Sequence, residues 1–220
     1  MEIKAVLFDL DGVIADTAKF HFLAWRVIAE ELGIIIDEQF NEQLKGVDRV
    51  LSFDRILAHG KVTTLTKEEK EHYRTKKNKM YREFLETLSE KDVMPGINEF
   101  FNELIDNNIK IAIASISQNA PFILEKLNLI DKVDCVADPK SVKLSKPAPD
   151  IFLKAAELVG VETKYCVGIE DAKAGIESIN NADIFSVGVG NLIGANLLLN
   201  STSELNLKMI KESFYKYHSK

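Results

Sequence analysis

The chain has 220 residues, 46% of them hydrophobic, and a net charge of −6 at pH 7. Length and apolar content suffice for one sizeable core, or a core with a modest insert. The acidic balance excludes the basic footprint of a nucleic-acid binder, no apolar run approaches a membrane span, and the start lacks the pattern of a secretory signal.

Residues 3–8 predict a short buried strand, Ile/Val/Phe-containing and nearly continuous. It ends in Asp9, with Asp11 two residues on and Gly12 directly after. A strand repeats every two residues, so the two carboxylates face the same space if that geometry persists to the tip. Like charges held that close need a cation or a proton between them. Read alone, such a pair is more often a solvated turn.

Residues 17–32 predict a helix, with Phe20, Leu23, Val27, Ile28 and Leu32 near the helical period, Asp16 or Thr17 as its cap and Gly33 as its end. Three more helices are expected, at about 37–45, 49–58 and 66–88. No strand pattern occurs between Asp16 and Asp92, so residues 16–92 read as a helical insert. The remainder, 1–15 and 93–220, reads as one core domain, with hinges at Ala15–Asp16 and Asp92–Pro95.

After Pro95-Gly96 helices and strands alternate: helix 97–107, strand 109–115, a helix from about 119, strand 133–138, a helix after Pro149, strand 165–171, helix 173–180 and strand 184–190. A weak apolar run at 196–199 and a helix at 203–217 close the chain. The alternation predicts an α/β fold, a parallel sheet covered on both faces. Ligands bind such sheets outside the carboxyl ends of the strands, which is where Asp9, Asp11, Ser115, Glu170 and Asp171 fall. Cys135 and Cys166 lie in apolar runs and are expected to be reduced core residues of a cytoplasmic protein. No internal repeat is visible.

Four local signals carry the chemistry. They are FDLDG at the first strand end, Ser115 in SISQN, Lys146 in KPAPD, and Glu170-Asp171 after the fourth strand. Ser115 precedes backbone N–H groups that suit an oxyanion, Lys146 offers a point charge for phosphate, and the acidic pair suits Mg²⁺. Singly, these are more often a helix cap, a surface lysine and a solvated turn.

In this order, together with FHFLAW, FNEQLKGVDR and GIEDAKAGI, they resemble the haloacid dehalogenase-like superfamily across essentially the whole chain. The resemblance implies a Rossmann-like core with residues 16–92 as a four-helix cap domain. Within the superfamily the stretches are similar to mutases that interconvert β-glucose 1-phosphate and glucose 6-phosphate through a bound β-glucose 1,6-bisphosphate. By resemblance Asp9 is the nucleophile that becomes an aspartyl phosphate. Asp11 is the acid/base and lends its main-chain carbonyl to Mg²⁺, and Glu170 and Asp171 complete the metal ligands. Ser115 and Lys146 grip the transferring phosphoryl group, and Ile116, Ser117, Gln118 and Asn119 the distal phosphate. Thr17, His21, Trp25, Lys45, Gly46, Arg49 and Ser52 line the sugar and phosphate site from the cap, with Lys77 bonded to His21.

The departures are Ile116 where a small residue is usual, Gln118 for a usual lysine, Val50 and Leu51 for acidic residues, and Glu38 at an often basic position. Small sugar phosphates, a monomer, and no nucleic-acid or membrane partner are expected. The rival readings are a sugar-phosphate or phosphoglycolate phosphatase of the same fold, and a non-catalytic phosphosugar binder.

Overall fold

The computed structural model describes residues 2–219. Six parallel strands form one sheet in the order β3-β2-β1-β4-β5-β6. They are β1 (Ala5–Phe8), β2 (Lys110–Ile113), β3 (Cys135–Val136), β4 (Cys166–Glu170), β5 (Phe185–Val189) and β6 (Leu197–Leu199). The chain winds outward from β1 through β2 to β3, then returns to the other side of β1 as β4. The order therefore reverses at β1, and the crevice of an open α/β sheet opens at that reversal.

The two-residue strand period sorts side chains by size. Val6, Phe8, Ile111, Ile113, Val167, Ile169, Phe185 and Val187 join one cluster with α5 (Ile97–Asp106), α6 (Ala120–Lys126) and α9 (Leu207–His218). Ala5, Leu7, Ala112, Ala114 and Cys166 join the other, with α7 (Asp150–Leu158) and α8 (Lys173–Asn181). The first face is bulky and aromatic: the Phe8 ring meets Phe100 and Phe101 edge-on at centroid distances of 6.0 and 5.0 Å. Such pairs contribute about 0.5–1.5 kcal/mol beyond the area they bury. Small residues on the second face let α7 and α8 lie close to the strands.

Between β1 and β2 come α1 (Ala18–Glu31), α2 (Glu38–Asn41), α3 (Arg49–His59) and α4 (Lys67–Leu85). They enclose a cluster of their own around Trp25, Ile28, Phe53 and Ile56, with Trp25 stacked on Phe53. Helix α4 starts in a capping box: Glu69 N–H donates to Thr66 Oγ1, and Thr66 N–H donates to the Glu69 carboxylate. Asp48 caps α3 by accepting from the Val50 and Leu51 amides.

Several elements are shorter than their patterns suggest. The helix expected at 37–45 spans only Glu38–Asn41, because the chain turns after it toward Gly46. The strand expected at 133–138 is two residues long, as β3 lies at a sheet edge with a single partner. Leu197–Leu199 pairs with β5 as β6, and α9 begins at Leu207, after a short 3-10 turn at Thr202–Glu204. Cys166 is buried, whereas Cys135 is partly exposed on the edge strand, and both are free thiols. Among the described residues no helix is long and apolar enough to cross a membrane.

Candidate active site

The sheet register builds the floor of the site. Phe8 pairs with Ile113 on one side and Ile169 on the other. The ladder runs one step further, since Asp9 N–H donates to Ile169 O at 3.0 Å and Ala114 N–H to Phe8 O at 2.7 Å. Asp9, Ser115 and Glu170 are therefore carried to the same rim by three adjacent strands.

Asp9, Glu170 and Asp171 offer carboxylate oxygens that all lie within 4.8 Å of one another. Lys146 reaches in from the segment between β3 and α7, and its ammonium is buried. It lies 2.5 Å from Asp9 Oδ1 and 2.7 Å from Glu170 Oε1. The second Glu170 oxygen accepts the Ala172 N–H at 2.8 Å. Burial pushes the Asp9 carboxyl up to about 7 against the pull of Lys146, with Glu170 and Asp11 adding repulsion. Burial, with repulsion from Glu170, Asp9 and Asp11, raises Asp171 as well, against the pull of Lys45. One ammonium does not neutralise three clustered carboxylates. Hard oxygen donors with a negative excess fit a divalent cation of the Mg²⁺ type.

Gly12 makes room for this group. Its φ is +88°, in the left-handed region that side chains avoid. A Cβ there would lie 2.1 Å from Asp171 Oδ2.

Asp11 faces the helical insert rather than the carboxylate cluster. It accepts hydrogen bonds from the Thr17 hydroxyl and, at 3.1 Å, from Tyr81 Oη. His21 Nε2 lies 3.6 Å away. Burial pushes the Asp11 carboxyl up, but His21, Thr17 and Tyr81 outweigh it and hold it at about 2. Behind His21, Lys77 Nζ approaches Nδ1 to 2.7 Å and sits over the Trp25 and Tyr81 rings. Burial brings Lys77 down to about 7, and burial with Lys77 lowers His21.

A cleft of about 360 Å³ lies above these groups. Of the residues singled out in the sequence, Asp9, Asp11, His21, Trp25, Lys45, Gly46, Arg49, Ser52, Lys77, Ile116, Ser117, Gln118, Asn119 and Asp171 line it. Ser115, Lys146 and Glu170 are buried beneath it. Thr17 is also buried and does not line the cleft; it heads α1 without capping it, because its hydroxyl is committed to Asp11. Gly46, at φ +68°, turns the α2–α3 loop so closely onto the α8 start that a Cβ would stand 3.0 Å from Ala172 Cβ.

The loop after β2 is held in shape by its own serines. Ser117 N–H donates to Ser115 Oγ and Asn119 N–H to Ser117 Oγ. Among the described residues, the Ile116 and Gln118 amides have no protein acceptor.

Sequence reasoning missed Asn78, whose Oδ1 accepts from Asn119 Nδ2 at 3.2 Å, and the polar role of Tyr81. It also missed Asn41, Asp48 and the wall formed by Pro139 and residues 142–145. The spacing on α4 carried a signal: positions 77 and 81 are one turn apart and share a face. Nothing local marks the 139–145 wall.

The strand ends gather three acidic groups and a buried lysine beneath a helical insert, and the comparisons place the chain in a family of enzymes. The haloacid dehalogenase-like hydrolase model matches residues 3–183, and the chain belongs to that family. It is 44% identical to the beta-phosphoglucomutase of Bacillus subtilis, over 98% of this chain and 97% of that protein. The crystal structure of a beta-phosphoglucomutase from Clostridium difficile superposes with a TM-score of 0.96 at 44% identity, covering 99% of this chain and all of that one. A fructose-1-phosphate phosphatase of Escherichia coli is 30% identical over 84% of this chain and 95% of its own length.

Proposed function

We propose that this protein is a Mg²⁺-dependent mutase. It interconverts β-glucose 1-phosphate and glucose 6-phosphate through β-glucose 1,6-bisphosphate and an aspartyl phosphate on Asp9. One observation carries the reading beyond family membership. The cleft presents phosphate-fitting groups both at its floor, with Asp9 above Lys146, and on its walls, with Arg49 and the Ile116–Asn119 loop. A mutase intermediate bears a phosphate at each end, and arginine suits bidentate phosphate binding. Strong identity to a beta-phosphoglucomutase over nearly the whole chain supports the same substrate class.

In this reading residues 16–92 are the cap and 1–15 with 93–220 the core. Mg²⁺, held by the Asp9, Glu170 and Asp171 carboxylates and the Asp11 main-chain carbonyl, would offset charge on the transferring phosphoryl oxygens. Lys146 supports that role, since its ammonium already bridges Asp9 and Glu170. From the phosphorylated enzyme, the sugar 6-hydroxyl attacks phosphorus as the bond to Asp9 breaks, and Asp11 accepts the hydroxyl proton. The bisphosphate turns within the cleft. Asp9 then attacks the C1 phosphoryl group, and Asp11 returns the proton to the departing sugar oxygen. A positioned acid/base contributes about 10²–10⁴-fold to such a step. Transfer through a carboxylate relies otherwise on positioning and charge compensation. The free thiols of Cys135 and Cys166 suit a reducing, cytoplasmic setting.

The test is a product assay with Mg²⁺, β-glucose 1-phosphate and a trace of the bisphosphate. Glucose 6-phosphate is the expected product. Dominant release of free phosphate would overturn the mutase in favour of a sugar-phosphate phosphatase.

A further inference from the structure

Four cationic side chains line the cleft: Lys45, Arg49, Lys77 and Lys143. Lys77 is buried against His21 Nδ1 and two aromatic rings, and Lys45 pairs with the exposed Glu42 at 2.8 Å and acts on the Asp171 carboxylate. Arg49 and Lys143 have no ion pair among the described residues. They come from different parts of the fold. Arg49 opens α3 on the helical wall, whereas Lys143 sits on the core wall, between β3 and α7.

The backbone around Lys143 is held on both sides. Upstream, Asp138 accepts from Lys140 N–H at 2.9 Å, and Ser141 Oγ donates to Asp138 O at 2.6 Å. Downstream, Leu144 N–H donates to Asp150 Oδ1 at 3.2 Å. Val142 packs against the core cluster beneath the sheet. Lys143 lies between those anchors, exposed and at the lining of the cleft. The neighbouring loop after β2 supplies amides and the neutral side chain of Gln118, but no charge of its own.

We infer that Lys143 is a second phosphate-binding cation, which with Arg49 clamps the phosphoryl group that is not reacting. This rests on the mutase reading above, because only a substrate with a phosphate remote from Asp9 uses it. A sugar phosphate carries nearly two negative charges at neutral pH. One cation from each wall compensates them and fixes the sugar between floor and clamp. Lys143 acts as a binding and positioning residue; it makes no bond to the reacting phosphorus.

The experiment compares wild type, Lys143→Ala, Lys143→Glu and Lys143→Arg in steady-state assays with β-glucose 1-phosphate and the 1,6-bisphosphate at two ionic strengths. Thermal melting verifies folding. Lys143→Ala is expected to raise KM about tenfold, the scale of one lost charge-assisted contact, while lowering kcat by less than about threefold. Lys143→Glu raises KM further, Lys143→Arg restores most of the loss, and the Ala variant is less sensitive to salt. An unchanged KM in Lys143→Ala and Lys143→Glu overturns the assignment. So does a fall in kcat alone, or an Arg variant no better than Ala. Wild type that releases free phosphate instead of glucose 6-phosphate overturns the mutase reading itself, a separate and recognisable failure.

Discussion

Gly12 and Asp171 occupy complementary space: a Cβ on Gly12 would overlap Asp171 Oδ2 at 2.1 Å. The glycine is required twice, for that vacancy and for its φ of +88°. A side chain in the left-handed region costs about 1–2 kcal/mol, and the overlap would push the carboxylate away from Asp9 and Glu170. Gly12→Ala is expected to raise the Mg²⁺ concentration for half-maximal turnover at least about tenfold, in the range of disturbed metal surroundings. A metal titration of the rate checks this. A wild-type Mg²⁺ requirement in a folded variant would contradict it.

Lys77 gives the protein a readable dependence on pH. Its ammonium ionises at about 7 in the folded state because burial disfavours the charge, against 10.5 for an ordinary lysine. Between those values the unfolded chain binds more protons, so this group's contribution to stability rises with pH and is lost as pH falls through 7. Lys77→Met lacks the proton uptake. Wild type should therefore gain on the order of 3–5 kcal/mol relative to that variant between pH 7 and 10.5. Paired melting or denaturant curves across that interval test the sign. A constant difference would show that Lys77 keeps its ordinary basicity in the fold.

Asp9 and Asp11 should fail in different ways. Asp9→Asn removes the attacking oxygen and is expected to abolish both turnover and the phosphorylated form seen by intact-protein mass. Asp11→Asn keeps the cluster around Asp9 and should slow turnover by about 10²–10⁴-fold, the scale of acid/base assistance, while substrate still binds. Near-normal activity in either variant is incompatible with the roles given to them.

Much of the site was legible in the sequence because sheet geometry is local. A continuous apolar strand ending in Asp9, and another ending in Glu170-Asp171, place their carboxylates at one rim once the strands are parallel neighbours. What escaped depends on packing between distant segments. Tyr81 reads as one more apolar position on α4, yet its hydroxyl reaches Asp11, seventy residues earlier. Asn78 has meaning only through Asn119, across the cleft. Leu197–Leu199 becomes a strand because β5 offers it an edge, which no short-range pattern announces. The 37–45 stretch kept its apolar period but lost the helix to the turn that Gly46 makes.

The Asp11 carboxylate is tied at once to Thr17 at the head of α1 and to Tyr81 on α4, with His21 beside it. In the acid/base role proposed for Asp11, its readiness to shuttle a proton thus depends on where the helices stand. Were they to swing outward and let solvent in, these partners would be withdrawn together. Water would then meet the proposed acyl phosphate with no tuned relay to activate it, which would spare the energised enzyme from idle discharge between sugars.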